Sequence, residues 1–118
     1  MKASEFAGTY YVKQAGSRDG RIKLGDQIDI TWDGVDESTA IVTVSNGTET
    51  PLDNVTFIVD QGLGCLRGDT LQQQGYVMLI SRYEEQTSNG PYRALYGAII
   101  QKDPDSVGAW GADDDPGA

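Results

Sequence analysis

The 118-residue sequence predicts an all-β domain, a small antiparallel up-and-down β-barrel of about eight strands over residues 1–102, followed by a flexible acidic tail over 103–118. Three observations predict it. Apolar and polar residues alternate with a period of two through much of the chain, which suits half-buried strands and not helices. Residues that tolerate positive φ punctuate those runs at short intervals: Asp19-Gly20, Asp33-Gly34, Asn46-Gly47 and Asn89-Gly90-Pro91. Only Leu71 to Gln74 could form a helical turn.

The strands are expected near 8–14, 21–24, 26–33, 39–46, 54–60, 64–68, 75–83 and 93–101. Before them, Phe6 is the one large apolar anchor of residues 1–6 after Met1. Ile28, Ile30 and Trp32 fall on one face of the third strand. Val42 and Val44 do the same in the fourth, with Ile41 on the polar side. Val55, Phe57 and Val59 share a face of the fifth, where Ile58 is the exception. Gly62 and Gly64 then turn the chain into Cys65-Leu66-Arg67.

Tyr76 to Ser81 and Ala94 to Ile100 are different, because they are apolar on both faces. Such strands are either the best covered or the ones that face a partner, so a homodimer through 75–83 and 93–101 is expected as an option. Gly97 inside the second run predicts a bend or the close approach of another backbone. In the tail, rich in Asp, Gly, Ala and Pro, Val107 and Trp110 are the large apolar side chains, and they are expected to dock on the barrel.

Composition narrows the function classes. The net charge is −9, and its distribution is uneven: residues 1–25 carry +3, 26–60 carry −8, 61–102 carry +1 and 103–118 carry −5. Phosphate-backbone binding needs clustered Lys and Arg, so nucleic acid is excluded as a partner. No stretch approaches the length of a membrane span, and no charged-then-apolar leader follows Met1, so no membrane partner is expected. Cys65 is the single cysteine and no internal disulfide can form. That composition favours a reducing, cytoplasmic setting.

Phe6-Ala7-Gly8-Thr9-Tyr10-Tyr11 opens the first strand. It resembles the Gly-x-Trp start of the calycins, the lipocalin and avidin group of up-and-down barrels, with Tyr in place of the usual Trp. The resemblance covers that motif and the meander of strands after it. It implies that Tyr10 or Tyr11 plugs one end of the barrel. The tryptophan-bearing strands of avidin have no match, so no biotin residues carry over.

The chain has no histidine, which removes the commonest general base and metal ligand. No cofactor or metal is expected. Asp29, Asp33, Asp36 and Glu37 cluster, as do Asp113, Asp114 and Asp115, but neither group has the spacing of a calcium loop. Cys65 reads as a buried structural thiol. Arg67-Gly68-Asp69 spells an integrin-recognition tripeptide, yet it follows a strand and reads as coincidence.

What could carry function is a set of polar and aromatic side chains on the strands. Tyr11, Trp32, Arg67, Arg82, Tyr83 and Tyr96 are the candidates to line a barrel interior. The plainer reading is that the arginines reach solvent and the tyrosines fill the core. Three functions follow. The first is non-catalytic binding of a small, partly apolar or aromatic ligand inside the barrel. The second is a cyclase or isomerase working without metal or histidine, with Glu84 and Glu85 near a mouth. The third is an interaction or inhibitor module acting through loops such as 33–38 and 84–92.

Overall fold

The computed structural model describes residues 1–16, 22–46, 51–102 and 105–117. Its strands are β1 (Gly8–Gly16), β2 (Gln27–Thr31), β3 (Thr39–Ser45), β4 (Leu52–Asp60), β5 (Cys65–Arg67), β6 (Tyr76–Thr87), β7 (Gly90–Lys102) and β8 (Asp105–Asp113). Each pairs antiparallel with the next, and β8 returns to β1, so the sheet closes into a barrel in simple sequence order. Every strand is paired on both sides, though the short β5 covers only three residues of β4 and two of β6. Among the described residues, no helix is long and apolar enough to cross a membrane.

The period-two pattern is realised as inward and outward faces. Tyr10, Val12, Ile28, Ile30, Val42, Val44, Phe57, Leu66, Met78, Ile80 and Leu95 are all buried and belong to one continuous apolar cluster. A bulge between Val12 and Gln14 shifts the β1–β8 register, and Ala15 beyond it packs on the core as Val12 does. A second irregularity, where Asn54 takes φ 52°, adds Leu52 to the inward set of β4.

Two strands differ from expectation. Residues 22–24, expected in a strand of their own, and Asp26, expected to open the next, instead lie in a turn before β2. Gly25 adopts φ 88° there, and the buried Asp26 carboxylate accepts the Lys23 N–H at 2.8 Å. Conversely Asp105–Asp113, assigned by composition to the tail, is a full strand. Its inward Trp110 and Ala112 are buried, and the outer positions are small enough that the segment looked featureless in sequence. The barrel unit therefore extends past residue 102. The expected turn at Asp19-Gly20, Gly47 of the Asn46-Gly47 turn and Arg21 of the expected strand lie outside the described residues.

One end of the barrel is closed by the chain's own start. A 3-10 turn (Ala3–Phe6) buries Ala3 and Phe6 completely. The loop after β2 clasps it: Ala3 N–H donates to the Glu37 carbonyl at 2.9 Å, and Ser4 donates its N–H and hydroxyl to the Glu37 carboxylate, each at 2.8 Å. A second 3-10 turn (Asp69–Gln74) buries Leu71 and ends at Gly75 in the left-handed region, φ 88°.

Candidate binding site

The six sequence candidates do not gather inside the barrel. Strand parity decides this. The buried positions of β6 are Tyr76, Met78 and Ile80, so Tyr83 falls outward. The buried positions of β7 are Leu95 and Ile99, so Tyr96 falls outward too. Because both strands are apolar on both faces, the sequence alone could not choose between the parities. Tyr11 lies between buried Tyr10 and Val12 and faces out. Arg67 lies outside, bound to Asp60 and Asp69. Trp32 is partly buried against the core, beside a shallow groove lined by Ala7, Gly8, Thr9, Asp29, Ile30 and Thr31.

Arg82 keeps the inward parity of β6, at the mouth closed by the 3-10 turn. Its guanidinium reaches Glu5 at 3.3 Å and Glu84 at 2.8 Å. Beside it is a residue that sequence reading missed. Arg93 donates from Nη2 to the carbonyls of Glu5 and Ala7, both at 3.1 Å, and its guanidinium carbon lies 5.7 Å from the Tyr10 ring centroid. The Tyr10 hydroxyl in turn donates to the Phe6 carbonyl at 2.9 Å. This mouth is filled by its own side chains, with Tyr10 as the plug.

Burial pushes the Tyr10 phenol above its ordinary value of 10.0, while the Arg93 and Arg82 charges pull the other way. A phenol whose folded pKa is raised binds its proton more tightly in the native state. Its contribution to stability is complete below about pH 10 and is lost as pH rises through the folded pKa. Tyr10→Phe should therefore flatten the alkaline fall of stability measured by urea unfolding at a series of pH values. The lost hydrogen bond should cost about 1 kcal/mol at neutral pH. An unchanged alkaline slope would show that other groups set it.

The outward tyrosines build something more open. On β6 and β7, Tyr83 and Tyr92 meet edge to face with ring centroids 6.4 Å apart. Tyr96 stands two rows along β7, separated from them by Ala94, and pairs across to Gly111 of β8. The small Ala94 and Gly111 leave a cleft of about 310 Å³ between the rings, which Lys13, Gln14 and Asp113 complete at its far side. Lys13 and Asp113 form an ion pair at 2.5 Å there. The Tyr83 hydroxyl donates to Glu85 at 2.8 Å, a bond that holds its phenol above the usual range. Tyr92 could have been found by counting back in twos from Tyr96 through Ala94. Gly111 and Asp113 could not, because their strand was not recognised.

Other candidate chemistry is engaged elsewhere. Glu84 and Glu85 are exposed and bonded to Arg82 and Tyr83. Asp33 accepts the N–H groups of Val35 and Asp36, and Asp36 accepts the N–H and hydroxyl of Ser38, which lowers its carboxyl. These carboxylates shape a loop. Burial pushes the Cys65 thiol up, and Asp60 adds to the effect, so the thiolate needed for nucleophilic attack is disfavoured. Inside the barrel, the buried Trp110 Nε1 has no hydrogen-bond partner among the described residues.

Comparison with known proteins adds no counterpart: no protein-family model, no curated protein and no solved structure matches this chain.

Proposed function

We propose that this protein is a non-catalytic binding barrel for a small, partly apolar molecule that carries a ring. The observation that carries the reading is the trio of half-exposed tyrosines around a floor of Ala94 and Gly111. Exposed phenols cost solvation order when left bare and offer flat, rigid faces for stacking at small loss of side-chain entropy. Gln14, Lys13 and Asp113 supply donors and acceptors at one end, which favours a ring with polar substituents, such as a saccharide, over a plain hydrocarbon. A place near the lipocalin and avidin group is part of the same proposal, supported by Gly8-Thr9-Tyr10 at the head of the meander and by Tyr10 at the closed mouth.

The test uses protein from its natural source, examined by native mass spectrometry for a retained molecule, and labelled protein titrated with methyl glycosides and phenols. The expected result is that the ring resonances of Tyr83, Tyr92 and Tyr96 move together. Two variants check the site. Tyr96→Ala removes a wall. Gly111→Val fills the floor, and a Cβ there meets its nearest neighbour, the Gln14 side chain, at an ordinary 3.4 Å, so the fold should tolerate it. Each should weaken binding about tenfold or more, the scale of one lost aromatic contact. Unmoved tyrosines with every probe, and no retained molecule, would overturn the reading.

A second placement, inside the barrel, has one observation in its favour. An unpaired buried indole N–H costs roughly 1–3 kcal/mol, and a ligand with a single acceptor near Trp110 Nε1 would recover it. Binding that shifts tryptophan emission in the Trp32→Phe background and survives Gly111→Val would favour the interior over the cleft.

A further inference from the structure

Part of the same outer face, bounded below by the Lys102–Asp105 pair of β7 and β8, is free of charged residues. Pairing across β6, β7 and β8 sets Val77 beside Ile100 and Val107, Leu79 beside Ala98 and Ala109, and Ser81 beside Tyr96 and Gly111. These three rows of three outward residues contain no charged side chain. Val107 is 66% exposed and Ile100 39%, and Arg67 of β5, ion-paired to Asp60 and Asp69, bounds the apolar surface on the β5 side. The outward residues of β2 and β3 are by contrast Gln27, Asp29, Thr31, Thr39, Thr43 and Ser45, with Ile41 among them.

We infer that this face pairs two copies of the chain as an isologous homodimer. Three arguments choose a second copy over another occupant. Molecules with a net charge of −9 repel one another, and the approach that avoids like charges is through a neutral face. The face is also self-complementary. Val107 protrudes at its β8 side, while at its β6 side a groove of about 280 Å³ is lined by Gln72, Gly75, Tyr76, Val77 and Ile100. A two-fold axis running along β7 lays β8 of one copy over β6 of the other, so each Val107 enters the partner's groove. Finally, the small Ala98 and Ala109 at the centre let two sheets approach to the usual ~10 Å of face-to-face packing.

Size sets the strength. A face on the order of 500 Å² per copy lies below the ~800 Å² of standard interfaces, so the dimer belongs to the weak, reversible class. It should dissociate on dilution. The face shares its Tyr96–Gly111 row with the cleft, but Val107 lies two rows away on β8, so Val107→Glu tests the dimer without altering a cleft residue.

The test is sedimentation equilibrium at protein concentrations from about 1 µM to about 500 µM. The natural sequence should rise from its monomer mass of 12.7 kDa toward twice that value. Val107→Glu should weaken the association at least ~10-fold, as expected when a charge enters an apolar contact. Ile100→Lys repeats the test from the central strand, and circular dichroism checks that both variants fold. Val35→Glu, at a loop position 85% exposed and off this face, should dimerise like the natural sequence. A natural chain that stays at monomer mass throughout, or a Val107→Glu variant that dimerises as well as the natural one, overturns the proposal.

Discussion

Gly97→Ala should be among the most damaging single-methyl changes this protein can receive, costing about 3 kcal/mol, the upper end for overpacking a core. A Cβ at that position would lie 2.0 Å from the Leu79 carbonyl oxygen and 2.7 Å from the Trp110 ring. The ring contact alone could relax, but the carbonyl cannot, because the β6–β7 ladder pairs Leu79 with Ala98 and Ile80 with Gly97. The expected fall in melting temperature is about 10–15 °C for a domain of this length. The double variant Gly97→Ala, Trp110→Leu separates the two contacts. If the carbonyl dominates, removing the ring recovers little of the loss beyond what Trp110→Leu costs by itself. A Gly97→Ala protein within 1 kcal/mol of the natural one in urea unfolding would mean that the ladder yields more easily than its register implies.

That glycine also marks how far the sequence could be read. A glycine inside an otherwise apolar strand predicts a close backbone approach, and the Leu79 carbonyl is that approach. The alternating runs placed Ile28, Ile30, Val42, Val44, Phe57 and Val59 in the core, since one polar face leaves a single possible orientation. Legibility failed where that polar contrast was missing. On β6 and β7 both faces are apolar, so Tyr83 and Tyr96 could be assigned to either side, and the cleft they form with Tyr92 emerged only from three-dimensional register. On β8 the outward residues include Ala109 and Gly111 and the inward ones Gly108 and Ala112, so small side chains hid a strand within a composition typical of a tail. The β6–β7 hairpin likewise runs on to Thr87 and Gly90, past the last inward apolar residue, where most side chains are exposed and no apolar alternation survives.

Arg93→Ala should release the plugged mouth, at a cost of about 3.5–4 kcal/mol. The guanidinium makes two bonds to the Glu5 and Ala7 carbonyls and lies over the Tyr10 ring. A hydrogen bond from a charged donor contributes roughly 1.5 kcal/mol, and a partly desolvated cation over an aromatic face about 0.5–1 kcal/mol more. Gly8 lies beneath both side chains with φ 152°, a backbone conformation that residues with a side chain rarely adopt, although a Cβ there would meet Arg93 Nη1 and the Tyr10 ring only at an ordinary 3.4 Å. Arg93→Lys is the informative companion, because an ammonium can neither bridge two carbonyls in a plane nor stack on a phenol, and it should recover less than half of the loss. Amide exchange locates the damage. The Ala7 N–H, bonded to the Ser4 carbonyl, and the Ala3 N–H, bonded to the Glu37 carbonyl, should lose protection in Arg93→Ala, while β3 amides change only in step with global stability. Unchanged protection at Ala3 and Ala7 would assign the closure of this mouth to Phe6 burial and the Glu37 clasp, with the arginine a passenger. The same variant bears on where a ligand enters. If the tyrosine cleft is the binding site, opening the mouth leaves affinity for it intact, whereas an interior site would bind and release its ligand faster once the plug is loose.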